Sequence, residues 1–425
     1  VLYVLNVDSN GEKINMRKRI KKLSTILVAS ILLLNISAVG SIAPSEKENV
    51  IIVFKDNQES ALAQGSALVK EHEGEIERQL TSINAIATRL SKDKIETLKK
   101  HPGIEYIEPD YEAEALGDLV EDSVEETRHK DKDKGPSQVA PWGITKINAD
   151  KAWQVTNDPN KGKGIKVAIL DTGIQYDHPD LQANIKGGVN FVGSGSRDGS
   201  TDPKRWTDKN GHGTHVAGTI AAEDNGIGVV GVAPQASLYA VKVLNNQGKG
   251  SYSDIIQGID WAVKNDMQVI SMSLGGKSDS KALKKAVDNA RAKGVIVVAA
   301  AGNSGDGNPA TNNVIYPAKY DSTIAVAATN SKDAVAKFSS DGKEVDVAAP
   351  GVSVHSTYKG SSYKAMNGTS MATPHVTGTV ALMLSAGISP GKIQSKLEKT
   401  AVDLSPSGYD VFTGHGRIDA LKATQ

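Results

Sequence analysis

Four short segments carry the side chains best suited to chemistry. Asp171 closes an apolar run in Ile169-Leu170-Asp171-Thr172-Gly173, and His212 opens a helical pattern in Asn210-Gly211-His212-Gly213-Thr214-His215. Asn303 follows another apolar run in Ala300-Ala301-Gly302-Asn303-Ser304-Gly305, and Ser370 lies in Asn367-Gly368-Thr369-Ser370-Met371-Ala372-Thr373-Pro374-His375. Ser370 falls at the start of an apolar helix, whose free N–H groups and dipole favour an anion beside it. The Asn303 side-chain amide is a hydrogen-bond donor at the end of a strand. Each residue also has a plainer use: an Asp before Thr-Gly or an Asn between glycines makes a turn, and a Ser or His at a helix start caps it. Three rival chemistries fit poorly. An aspartic protease needs two carboxylates sharing a site, and no second Asp-Ser/Thr-Gly occurs. A helical zinc pair is spaced four apart with a Glu between, unlike His212 and His215. Ala372 stands where the α/β-hydrolase elbow Gly-x-Ser-x-Gly needs its last glycine.

The elements that must position these groups alternate from about Gln138 onward. Strand-like runs cover 165–170, 238–244, 269–274, 295–300 and 323–328, with helical patterns over 212–222, 253–265 and 279–293 between them. Nearly continuous apolar strands alternating with helices predict an α/β fold, a doubly wound and mainly parallel sheet covered on both faces. Its ligand sites belong beyond the carboxyl ends of the strands, which is where Asp171 and Asn303 fall.

The 425 residues include no cysteine, which excludes disulfides, a thiolate nucleophile and Cys-ligated metals. The 49 basic and 49 acidic residues cancel, so no chain-wide pull on nucleic acid exists. Residues 1–43 read as a leader with a secretory signal peptide: a basic run after Met16, an apolar stretch from Leu23 to Val39, then Ser41-Ile42-Ala43. Residues 44–116 read as a small α+β domain, with strands over 49–54, 85–90 and 104–107, a helix over 60–71, and a second helix capped by Ser91. Residues 117–137, rich in both charges, read as a mobile linker or an extension of the mature chain. Residues 138–425 read as the main α/β domain, which holds all four chemistry-bearing segments.

The order Asp171, His212, Ser370 within these long motifs resembles the subtilisin-like serine proteases, from about Gln138 to the C-terminal region. The resemblance makes Ser370 the nucleophile, His212 the general base and then acid, Asp171 the group that orients and stabilises the imidazolium, and Asn303 a donor to the oxyanion. It implies that substrate adds as a strand between Gly248-Lys249-Gly250 and Ser273-Leu274-Gly275-Gly276. Tyr252, Ile255 and Leu274 then match an apolar pocket for the residue four before the cut, with plain core as the alternative. Ile315 stands where the family usually has Gly at the base of the main specificity pocket, so a shallower pocket preferring Leu, Met or small residues is expected.

The resemblance also implies calcium, held by side chains of Gln138, Asp180 and Asn225 and by carbonyls of Glu223, Ile227 and Val229. A weaker cation site at the carbonyls of Ala318, Tyr320 and Thr323 is a further expectation. Residues 44–116 resemble the family's propeptide, a folding assistant and inhibitor, aligned so that self-cleavage follows Leu116 and the mature chain begins at Gly117. The segment holds 9 basic and 15 acidic residues against 30 and 25 in residues 138–425, so inhibitor and enzyme are expected to attract modestly. The resulting expectation is a secreted monomer acting on proteins or peptides, with no nucleic acid partner and no membrane anchor in the mature form. Two alternatives stay open at this point: a silent subtilisin-like binding protein, and a metal-dependent hydrolase using His212 and His215.

Overall fold

A computed structural model describes residues 46–55, 59–120, 137–155, 161–192, 202–404 and 406–425. The signal-peptide reading of residues 1–43 lies outside these residues, as does the linker apart from 117–120 and Ser137.

The N-terminal domain is a four-stranded sheet in the order β2-β3-β1-β4. Its strands are β1 (Lys47–Phe54), β2 (Glu75–Leu80), β3 (Ala85–Ser91) and β4 (Ile104–Pro109), with helices α1 (Glu59–Glu71) and α2 (Lys92–Leu98). Alternating side chains of β1 divide between two layers. Val50, Ile52 and Phe54 pack with Val69, Leu90, Ile95 and Leu98, whereas Ile51 and Val53 join the core of the larger domain. Ser91 occupies the N-cap of α2, as its spacing suggests, but its side chain makes no capping bond. Strand β2 was not foreseen, because Glu75-Ile76-Glu77-Arg78-Gln79-Leu80 offers charge where strands usually offer β-branched residues.

Two short strands continue the chain, β5 (Glu112–Ala115) and β6 (Asp118–Leu119). The large domain follows with β7 (Lys166–Asp171), β8 (Ile185–Asn190), β9 (Ser237–Lys242), β10 (Lys249–Ser251), β11 (Val269–Met272), β12 (Leu274–Gly275), β13 (Ile296–Ala300), β14 (Ile324–Thr329), β15 (Val347–Pro350), β16 (Val354–Tyr358) and β17 (Ser362–Asn367). Its helices that matter for the site are α3 (His212–Ala221), α4 (Tyr252–Lys264), α5 (Lys281–Ala292) and α6 (Thr369–Ser385). Seven strands in the order β15-β14-β13-β11-β7-β9-β8 form a parallel sheet. From β7 the chain goes to the edge strand β8 and returns to β9 between them, then crosses β7 to β11 and builds outward through β13, β14 and β15. The crevice where this order reverses, between the carboxyl ends of β7 and β11, is where such sheets place their ligands.

Both faces are buried. Val167 and Ile169 pack with Val216 and Ile220 of α3 and Val376 and Val380 of α6, while Ala168 and Leu170 face Ile255 and Ile259 of α4 and Leu283 of α5. The strand expected over 269–274 divides at Ser273, and β8 and β15 add to those foreseen. Strand β8 escapes a propensity reading because it contains Gly187-Gly188. A Cβ at Gly188 would lie 2.7 Å from the Ala240 carbonyl oxygen and from the Trp206 ring, so glycine is what lets this edge strand close on β9.

Candidate active site

Asp171 is the last residue of β7 and His212 the first of α3. The helix can approach the strand because a Cβ at Gly213 would lie 2.1 Å from the Gly173 carbonyl oxygen. Both side chains are buried, and His212 Nδ1 donates to Asp171 Oδ1 at 2.8 Å and lies 3.0 Å from Oδ2. Burial lowers the proton affinity of the imidazole, but the Asp171 carboxylate outweighs it and the net shift is upward. His212 Nε2, the atom facing away from Asp171, is buried without a hydrogen-bond partner.

Ser370 is the second residue of α6, whose N-cap Gly368 has φ of 150°. Pro374, inside the same helix, has no N–H for the Ser370 carbonyl four residues earlier. That carbonyl accepts instead from Ser273 Oγ at 2.9 Å, and Ser370 Oγ donates to the Ser273 carbonyl at 2.8 Å. This reciprocal pair ties the nucleophile candidate to the break between β11 and β12. The Ser370 hydroxyl is therefore spent on Ser273 and not on His212 Nε2 in this state.

Asn303 follows β13, and its orientation is set by Thr369, whose N–H and hydroxyl donate to Asn303 Oδ1 at 3.0 and 2.9 Å. Its Nδ2 is thereby aimed outward and donates to the Leu116 carbonyl at 3.0 Å. Leu116 enters the cleft on β5, which lies between β10 and β12, antiparallel to both. Ala113 pairs with Gly250, Glu114 with Lys249 and Gly275, and Ala115 with Leu274. The Ala115 N–H reaches the Gly248 carbonyl at 2.9 Å and the Leu116 N–H the Ser273 carbonyl at 3.4 Å. Past Gly117, β6 pairs with β17, Asp118 opposite Asn367. The 116–117 bond thus spans the cleft with backbone pairing on both sides.

The Leu116 side chain packs on Ala300 and Ile315. Cβ atoms at Gly275 and Gly302 would come within 2.5 and 3.3 Å of Ile315, so this side chain covers both glycine walls of the pocket. Ala113 shares a buried cluster with Tyr252, Ile255 and Leu274. Tyr252 also donates its hydroxyl to the Ser278 carbonyl at 2.8 Å and meets Tyr111 edge-on. Gly276 stands beside Glu112: a Cβ there would lie 2.6 Å from the Glu112 carbonyl oxygen.

His215 and His375 are buried, with carbonyl partners at Val354 and Lys364 and at Met371. Burial pushes their proton affinity down, to about 3 and about 4. Sequence reasoning missed Thr369 and Asp208, and it named Ser273 only for substrate pairing, not for its tie to Ser370. Asp208 is buried and accepts from the Thr172 hydroxyl, the N–H groups of Asn210, Gly211 and Thr214, and the Thr214 hydroxyl. Its only sequence signal is its place four residues before His212.

The residues expected at a calcium site also converge. Gln138 Oε1 accepts from the Gly226 N–H and its Nε2 donates to the Glu223 carbonyl. Asn225 Oδ1 accepts from the Ile227 N–H, and Asp180 Oδ2 from the Val229 N–H at 2.9 Å. Asp180 Oδ1 is buried without a partner, and burial pushes this carboxyl up to about 7. An orphaned carboxylate oxygen amid amide and carbonyl oxygens suits a hard cation. One adjustment is required, since the Gln138 amide must turn to present oxygen where it now presents nitrogen. At the weaker site the Ala318 and Tyr320 carbonyls both accept from the Thr323 hydroxyl.

Comparison with known proteins agrees with this architecture. Residues 162–416 match the family model described as the subtilase family, and residues 46–115 match that of peptidase inhibitor I9. The chain is 43% identical to subtilisin E of Bacillus subtilis (strain 168) over 394 residues, 92% of this chain and 94% of that protein. It is 51% identical to subtilisin DY of Bacillus licheniformis over 291 residues, 68% of this chain and all of that protein. It is 41% identical to an alkaline protease of Shouchella clausii over 420 residues, 95% of this chain and all of that protein. The chain belongs to the subtilase family of serine endopeptidases and carries an inhibitor-type propeptide domain at its N-terminal side.

Proposed function

We propose that the chain is a secreted precursor that cuts itself after Leu116 through an Asp171–His212–Ser370 triad and then hydrolyses other proteins by the same route. The observation that carries this reading is the Leu116 carbonyl resting on Asn303 Nδ2 at 3.0 Å, beside Ser370 and the Asp171–His212 pair. In the reaction, the Ser370 hydroxyl leaves the Ser273 carbonyl and turns to His212 Nε2, which takes its proton as Oγ bonds to the Leu116 carbonyl carbon. The negative charge that gathers on the carbonyl oxygen is met by Asn303, held ready by Thr369. His212 then returns the proton to the Gly117 nitrogen as the peptide bond breaks, leaving Ser370 acylated. Water, deprotonated by His212, releases the acyl group and restores Ser370.

Protein substrates then occupy the place of β5, pairing with Lys249–Ser251 and Leu274–Gly275 and presenting a Leu-sized side chain to Ile315. The departed propeptide, whose last strand has the same fit, acts as an inhibitor. Gln138, Asp180, Glu223, Asn225, Ile227 and Val229 would hold calcium, which supplies charge compensation for Asp180 and stiffens the loop from Glu223 to Val229. Casein hydrolysis tests the enzymatic reading: the wild type is expected to be active and silenced by a serine-directed phosphonate. Undiminished activity of Ser370→Ala would end it.

A further inference from the structure

A lysine is buried beneath this site, where an ammonium without compensating charge is costly. Lys242, the last residue of β9, is 5% exposed and in register with Asp171 on β7 and Asn190 on β8. Its Nζ donates to the carbonyls of Thr172 at 2.5 Å and Leu244 at 2.9 Å. Neutral carbonyls do not balance its charge; the nearby carboxylates of Asp171 and Asp208 do. Thr172 joins all three groups. Its N–H donates to Asp171 Oδ1 at 2.7 Å, its hydroxyl to Asp208 Oδ1 at 3.0 Å, and its carbonyl accepts from Lys242.

Asp171 and Asp208 both favour the charged form of His212. His215, one turn along α3, is kept neutral by burial and adds no charge, and Glu114 of β5 lines the same cleft until the propeptide leaves. Lys209, exposed beside Asp208, faces Lys242. With His212 neutral, Asp171, Asp208 and Lys242 sum to one negative charge, which imidazolium formation brings to zero. Without Lys242 the excess is two, and the imidazolium gains stability.

We propose that Lys242 is a positioning residue for catalysis that acts by charge: fixed on the Thr172 carbonyl, its ammonium offsets one of two buried carboxylates and keeps His212 neutral, and so able to accept a proton, down to lower pH. This rests on the reading of His212 as general base. Burial pushes Lys242 down to about 8, against the pull of Asp208 and Asp171, so it still carries its charge at pH 7.

Two substitutions separate charge from hydrogen bonding. Lys242→Gln keeps a donor and removes the charge; Lys242→Met removes both. In self-processed enzyme, the acid limb of kcat/KM on a Leu-containing peptide is expected to move up by about 0.5–1 pH unit in both variants, with KM little changed. A limb that does not move in either variant overturns the proposal, and so does a shift in Met that Gln restores. If the variants process too slowly to assay, the full-length Ser370→Ala chain gives the same answer by NMR titration of the His212 ring with and without Lys242→Gln. Equal midpoints there overturn the proposal. Activity surviving Ser370→Ala alone would instead remove the triad reading, independently of Lys242.

Discussion

His212 owes its basicity to Asp171, 2.8 Å away, against the effect of its own burial. Because the net shift is upward from 6.5, the protonated, base-incompetent ring persists to higher pH than in a free imidazole. The acid limb of kcat/KM in the processed enzyme is therefore expected at or above that value, with activity lost as pH falls through it. A limb below about 6 would contradict the assignment. Asn303→Ala is expected to lower kcat by about 10² to 10³ with little change in KM, a magnitude known from subtilisin itself. Steady-state kinetics on one peptide checks it; a change confined to KM would mean that Asn303 binds substrate without stabilising the oxyanion. Asp171, His212, Asn303 and Ser370 were legible because each lies in a glycine-containing motif at the end of an apolar run (Asp171, Asn303) or at the start of a helix (His212, Ser370), and the order of these motifs resembles that of the family. The tie of Ser273 to Ser370 and the place of Lys242 were not, since both arise only through space: Ser273 meets Ser370 across 97 residues of chain.

At the scale of elements, the site depends on three junctions: α3 drawn onto β7 at Gly213, α6 tied to the end of β11 by Ser273, and β5 threaded between β10 and β12. Alternation of apolar strands and helices was enough to read the parallel sheet from sequence. It was not enough for β8 and β15, whose Gly187-Gly188 and Val347-Ala348-Ala349-Pro350 have little intrinsic strand preference and depend on neighbours for their conformation. The proposed specificity pocket is also a property of junctions, because Ile315 fills space bounded by Gly275 and Gly302. Replacing Ile315 by Gly is expected to raise kcat/KM for Phe or Tyr before the cut, relative to Leu, by about 10- to 100-fold. Matched peptide substrates differing only at that residue measure it. An unchanged ratio would show that another group limits the pocket.

Across the whole molecule, the N-terminal domain holds the enzyme by more than its last strand. Glu108 accepts from the Ser280 hydroxyl and the N–H groups of Lys281 and Ala282 at the start of α5, and Asp110 from the N–H and hydroxyl of Ser253 at the start of α4. Carboxylates at helix N-termini are stabilising, and a buried Arg78–Asp254 ion pair adds a third anchor. The two carboxylate anchors fit an acidic N-terminal domain on a mildly basic partner, whereas the ion pair runs the other way, with its cation on the N-terminal domain. With no cysteine in the chain, the proposed calcium would supply the clasp that a disulfide cannot. Chelation is expected to lower the melting temperature of the inactive Ser370→Ala chain by about 5–10 °C, recovered by added calcium but not by magnesium. Calorimetry with no such shift would remove calcium from the account. The central claim, that one triad both releases the enzyme and performs its reaction, is tested most directly by the mass of the purified chain. The wild type is expected to yield a fragment ending at Leu116 and a partner beginning at Gly117, while Ser370→Ala stays joined there. Cleavage at that bond in Ser370→Ala, purified free of other proteases, would contradict it.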